Sequence, residues 1–192
     1  MAELLLFHHA LGRTKGVLAF ADIIRQAGHT VHVPDLYEGH HFDDLEAGVS
    51  FAEGIGFDRL LERGVREADS LPPDIVYAGF SLGVLPAQKL AQTRPGAAGA
   101  LFFEACLPAA EFGAWPLGVK VQIHGMTQDK WFADAGDLAA ARELVAGADA
   151  AELFLYEGDQ HLFADSSLPA YDEPAAALLI QRVLTFLRTI TR

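Results

Sequence analysis

The stretch Tyr77-Ala78-Gly79-Phe80-Ser81-Leu82-Gly83 decides how the whole chain is read. It continues a short apolar run, Asp74-Ile75-Val76-Tyr77-Ala78, with the length and composition of a buried parallel strand. Val84 to Ala91 follows with the character of a helix, and Pro86 is tolerable there because it lies in the first turn. Gly79-Phe80-Ser81-Leu82-Gly83 is therefore a G-x-S-x-G sequence in strand–turn–helix context, where a strained turn lifts the serine oxygen clear of the sheet. The residues two positions to either side must be tiny, because so sharp a turn drives backbones together. Outside that context the serine would merely cap a helix in a glycine-rich connection.

Strand and helix signals alternate from this turn to both ends of the chain. Glu3 to His9 reads as a buried strand, Thr14 to Ala27 as a helix stopped by Gly28, and His29 to Val33 as a second strand closed by Pro34. Asp35 to Gly48 is polar and reads as surface loop. Phe51 to Ala68 reads as a helix with Leu60, Leu61 and Val65 inward, weakened by Gly54 and Gly56. Further strands are predicted at Gly99 to Glu104, Val119 to His124 and Glu152 to Tyr156. Helices are predicted at Asp137 to Ala146 and Glu173 to Ile190. About six strands with no hairpin signal predict one α/β domain over residues 1–192, a mostly parallel sheet with helices on both faces. The connection Ala105 to Leu117 is too short for a cap domain, so an open site is expected.

Composition narrows the partners. With 192 residues, 51% of them hydrophobic, the chain can bury a substantial core. No apolar run approaches the ~20 residues that span a bilayer, and the start reads as a first strand rather than a signal peptide. Cys106 is the single cysteine, which rules out an internal disulfide and suits a reducing cytoplasm. It is expected to be a small buried residue rather than a nucleophile. A formal charge of −12 argues against nucleic acid or an anionic membrane as partner. The pairs His8-His9 and His40-His41 diverge as neighbours, and no H-E-x-x-H or Cys/His cluster is present, so no metal is expected. The absence of G-x-G-x-x-G and Walker sequences likewise predicts no nucleotide cofactor. The sequence carries no signal of oligomeric state.

Ligands of such sheets sit beyond the carboxyl ends of the strands. Ser81, Asp129 and His161 each follow a different predicted strand there, in the chain order of a nucleophile-elbow hydrolase. A serine needs an imidazole to take its proton, and the imidazole needs a carboxylate to fix its tautomer. Asp134 is an alternative acid, and His161 could instead be a loop histidine bonded to Asp159 or Asp165. The oxyanion donors are expected to be the N–H of Leu82 and one from His8-His9-Ala10-Leu11-Gly12-Arg13, with Ala10 first and Leu11 second. Leu11, Arg13, Trp131 and Phe163 are candidate pocket residues, and Phe103, Trp115 and Phe132 further apolar walls. Arg13 would either meet a substrate carboxylate or face solvent.

With these pieces in place the chain resembles the dienelactone hydrolase family of the α/β-hydrolase superfamily over nearly its full length. The resemblance rests on His9-Ala10-Leu11-Gly12, the Gly28 to Tyr37 stretch ending in Pro34-Asp35-Leu36-Tyr37, the Ser81 turn, the Asp129 segment and Tyr156 to Phe163. It implies an α/β-hydrolase fold and cleavage of a small ester or lactone without a cofactor. Two positions depart from the family's namesake enzymes, which carry cysteine at Ser81 and a thiol-contacting glutamate at about His9. The departures agree with each other, since a serine has no thiol for a carboxylate to manage. Two other readings share the fold: a ligand- or partner-binding protein with little turnover, and a thioesterase or acyl transferase.

Overall fold

The computed structural model describes residues 1–190. Strands β1 (Glu3–Phe7), β2 (Thr30–His32), β3 (Val76–Phe80), β4 (Gly99–Phe103), β5 (Lys120–Met126) and β6 (Ala151–Tyr156) form one sheet. All are parallel, in the order β2-β1-β3-β4-β5-β6. The chain steps outward once, from β1 to β2, then returns to the other side of β1 and lays down β3 to β6 in turn. That reversal opens a crevice beyond the carboxyl ends of β1 and β3, the place where such sheets hold ligands.

Both faces of the sheet are covered, which is why its strands read as apolar runs rather than as alternating ones. Leu4, Leu6, Val76, Ala78, Leu101 and Phe103 pack against helices α1 (Lys15–Gln26) and α6 (Glu173–Ile190). Leu5, Phe7, Tyr77, Phe102 and Ile123 point the other way, toward the layer of α2 (Leu45–Ile55), α3 (Phe57–Glu67), α4 (Val84–Thr93) and α5 (Asp137–Gly147). Each fully buried Leu or Phe contributes roughly 1.5–3 kcal/mol, so these two layers carry most of the stability.

The helix expected over Phe51 to Ala68 is two helices. Gly56 has φ +95°, a backbone no helix contains, and it separates α2 from α3. α2 also begins earlier than expected, inside the predicted loop, because the Asp44 carboxylate accepts the Ala47 N–H at 2.9 Å and caps it. Between β4 and β5 the only regular structure is one 3₁₀ turn, Ala109–Glu111, so no cap domain covers the crevice.

Candidate active site

β3 delivers Ser81 into the crevice with φ +46°, in the left-handed region. The flanking glycines are obligatory. A Cβ on Gly79 would lie 2.2 Å from the Gly83 carbonyl oxygen, and one on Gly83 would lie 2.5 Å from that of Phe7. The turn is thus folded onto itself and pressed against the end of β1.

Two other strand ends supply the partners. Past β5, Thr127 and Gln128 remain tied to the β6 side through the Tyr156 and Gly158 carbonyls, and a π-helical turn, Lys130–Asp134, follows. Asp129 opens that turn fully buried, with Oδ1 accepting the Trp131 N–H at 2.9 Å. Past β6, His161 places Nδ1 2.6 Å from Asp129 Oδ2 and Nε2 2.9 Å from Ser81 Oγ. A carboxylate only accepts, so Nδ1 carries the hydrogen and Nε2 is left to accept from the serine hydroxyl. The competing partners are engaged elsewhere. Asp134 is exposed, Asp159 accepts from Gln160, and Asp165 pairs with His9.

The start of the loop after β1 lies against the Ser81 turn, where a Cβ on Gly83 would come within 2.7 Å of the His8 carbonyl oxygen. His9 is buried, its Nδ1 accepts the Leu11 N–H at 3.2 Å, and its Nε2–H donates to Asp165 at 2.8 Å. Leu11, the second choice as oxyanion donor, is therefore already committed. Among the described residues the Ala10 and Leu82 N–H groups have no hydrogen-bond partner. Next to this loop, His8 accepts the Leu36 N–H and donates to the His9 carbonyl, and burial pulls its pKa down to about 4.

Of the expected pocket residues, Trp131 stands at the site, 43% exposed with its ring centre 6.1 Å from that of His161. The others are placed differently, for packing reasons. Phe163 is buried against Tyr156 in the α1/α6 layer, and Leu11 is buried. Phe103 and Phe132 are fully buried, and Trp115 packs edge-on against Phe102. Arg13 donates to the Val33 carbonyl at 3.2 Å and lies 3.7 Å from Asp35, so it is turned toward the end of β2 rather than into the crevice. Cys106 is buried, and burial pushes its thiol up to about 12, which leaves it unreactive. Among the described residues no group of three or more His, Cys, Asp or Glu side chains is arranged to hold a metal ion.

One residue of the site has no sequence signal. Glu104, at the end of β4, is buried with φ +62°. Its carboxyl has no well-formed hydrogen bond. Burial pushes its pKa well above the ordinary carboxylate range, and the charge of Asp129 adds to that. Of the four described non-glycine residues with positive φ, Ser81 and Glu104 thus directly follow β3 and β4, and Leu162 (φ +64°) adjoins His161. Backbone strain of this kind gathers where the surroundings over-determine a functional geometry.

Comparison with known proteins agrees with the fold. A model of the dienelactone hydrolase family matches residues 3–191. No curated protein matches the chain in sequence. Among solved structures it is similar to a candidate dienelactone hydrolase from Klebsiella pneumoniae, with a TM-score of 0.77 and 16% identity, covering 98% of this chain and 87% of that one. A dienelactone hydrolase-like promiscuous phosphotriesterase from metagenomic libraries gives 0.74 and 16%, covering 99% and 87%. Esterase 2 of Thermogutta terrifontis, solved phosphonylated by sarin, gives 0.68 and 13%, covering 98% and 84%. At these identities the structures speak for the fold. No helix among the described residues is long and apolar enough to cross a membrane.

Proposed function

Because the chain belongs to the dienelactone hydrolase family, we propose that it is a serine hydrolase that cleaves small carboxylic esters or lactones through an acyl-enzyme. The observation that carries this reading is the hydrogen-bonded line Ser81–His161–Asp129, with contacts of 2.9 and 2.6 Å, drawn from three strand ends into one crevice.

In this reading Ser81 Oγ attacks the carbonyl carbon as His161 Nε2 takes its proton. The imidazolium that forms is stabilised by Asp129, which the Trp131 N–H keeps oriented. The oxyanion lies between the unpartnered N–H groups of Leu82 and Ala10, where each donor acts on charge present only in the transition state. His161 then gives its proton to the leaving alkoxide, water enters, and the same base activates it to release the acid and restore Ser81. The uncapped crevice, with Trp131 at its rim, suits a small or exposed acyl group.

The test is intact-mass labelling with a fluorophosphonate, a probe suited to a fold in which the Thermogutta esterase is phosphonylated by sarin. A single adduct on the wild type, absent in Ser81→Ala, is the expected result. It would be followed by a screen of esters, lactones and thioesters to separate hydrolysis of each. Folded wild type that stays unlabelled would overturn the reading in favour of a binding protein.

A further inference from the structure

The loop of Ala10 and the turn of His161 are built by different ends of the chain, yet one buried bond joins them. His9 Nε2 and Asp165 Oδ2 are 2.8 Å apart, 156 positions distant in sequence, with both side chains almost wholly buried. Asp165 closes the turn that begins at His161, its N–H donating to the Leu162 carbonyl at 3.0 Å. Its carboxylate also accepts from the Thr14 hydroxyl and from the N–H and hydroxyl of Ser167. Although burial acts to raise it, these bonds hold the Asp165 pKa at about 2, so it is a fixed anion. The first turn of α1 is shaped to admit it. A Cβ on Gly16 would sit 1.6 Å from Asp165 Oδ1, and Thr14, the cap of α1, bonds Asp165 with its hydroxyl.

An anion that accepts at Nε2 dictates the tautomer of His9. Nε2 must carry the hydrogen, which leaves Nδ1 bare to accept the Leu11 N–H at 3.2 Å. That bond commits the Leu11 amide to His9, while the Gly12 N–H closes the loop onto the His9 carbonyl at 3.1 Å. The Ala10 N–H is left without a hydrogen-bond partner. We infer that His9 and Asp165 are positioning residues that set the oxyanion donor of the β1 loop in register with the turn carrying His161. Neither touches substrate. Their action is to fix the Ala10 N–H relative to Ser81, and a misplacement on the order of 1 Å at such a donor lowers rates by ~10²-fold. The inference rests on the serine-hydrolase reading above.

The experiment compares wild type, His9→Phe and His9→Gln on a p-nitrophenyl ester and on the matching thionoester, with thermal melts of each protein. Sulfur accepts hydrogen bonds poorly, so a sound oxyanion site discriminates strongly between the two substrates. His9→Phe is expected to lose roughly 10- to 100-fold in kcat on the ester. Its KM should stay within about two-fold and its ester/thionoester ratio should collapse, because the donor still present is misplaced. Gln can accept from Leu11 and donate to Asp165, so His9→Gln should recover most of both. Equal losses on ester and thionoester in folded His9→Phe would overturn the inference, as would unchanged kcat. Should that variant not fold, ¹⁵N spectra of wild-type histidines decide: His9 must show hydrogen on Nε2 and a bare Nδ1, and the opposite tautomer overturns the inference. Wild type inert toward both substrates and the fluorophosphonate would instead sink the hydrolase reading, with the tautomer still reporting on the His9–Asp165 bond.

Discussion

Asp129 and Asp134 lie one helical turn apart, yet the fold treats them oppositely, one buried against His161 and the other in solvent. Asp129→Asn keeps the shape but leaves His161 free to adopt the wrong tautomer, and kcat should fall roughly 10⁴-fold. Asp134→Asn should stay within about two-fold of wild type, and steady-state kinetics on any turned-over ester separates the two. A second residue-scale prediction concerns Glu104. Its folded pKa is raised by burial from an ordinary 4.5. The protein is therefore unpenalised while both states are protonated, and loses stability as pH climbs from the unfolded value toward the folded one. Glu104→Gln, which cannot ionise, should melt higher than wild type at pH 7–8 and converge with it near pH 4. A lower Tm at pH 8 would show that the carboxylate is charged and stabilising. That Ser81, His161 and Asp129 would meet was legible in the sequence because each follows its own apolar run. Glu104 was not, since a glutamate closing a strand looks like any exposed end until β5 and the Phe163–Ala164 segment bury it. Asp165 was visible only as a candidate partner for His161, because nothing local says that β1 returns to meet it.

Element boundaries follow the same logic. Apolar runs located every strand, but the length of β2 is set by pairing with β1 alone at the sheet's edge, which ends it after three residues. The division between α2 and α3 was signalled by Gly56, which sequence reading took as a weak point in one helix rather than a break. Propensity cannot tell those apart; only the φ of +95° in the structure does. Contacts between elements are less legible still. The Ser81 turn is pressed onto β1 at Gly83, whose added Cβ would meet the Phe7 and His8 carbonyl oxygens at 2.5 and 2.7 Å. Neither obstacle is a side chain that can swing away. Gly83→Ala should therefore destabilise by about 1–3 kcal/mol, measured by denaturant midpoint, as overpacking does. It should also cut kcat by more than KM changes, because pushing β1 from β3 separates Ala10 from Ser81. Wild-type stability and activity in Gly83→Ala would show that the strand ends have room to part.

At the scale of the whole molecule, three buried histidines among the described residues, His8, His9 and His124, favour the uncharged form, and their unfolded counterparts take up protons near pH 6.5. Burial lowers His8 to about 4 and His124 to about 3, and lowers His9 as well. A histidine with a depressed folded pKa contributes stability that is present above 6.5 and is lost as pH falls toward the folded value. His8 and His124 therefore each add about 1.4 kcal/mol per pH unit to the slope of stability against pH in that window, and His9 acts in the same direction. Glu104 and Asp137, both raised by burial, bind protons in the folded state and work against this slope. The net expectation between pH 6 and 5 is uptake of protons on unfolding, so stability falls as pH falls there, read from denaturant midpoints across pH. The histidine best suited to isolate the effect is His124, which makes no hydrogen bond with Ser81, Asp129 or His161. It bonds the Tyr156 hydroxyl through Nδ1, stacks on Phe154, and leaves Nε2 without a partner. His124→Phe fills the same stack without a proton to gain, so its slope should be shallower by about one proton while labelling of Ser81 is unchanged. An unaltered slope would mean that His124 is charged in the folded protein, a state its buried place between Phe103 and Phe154 makes costly.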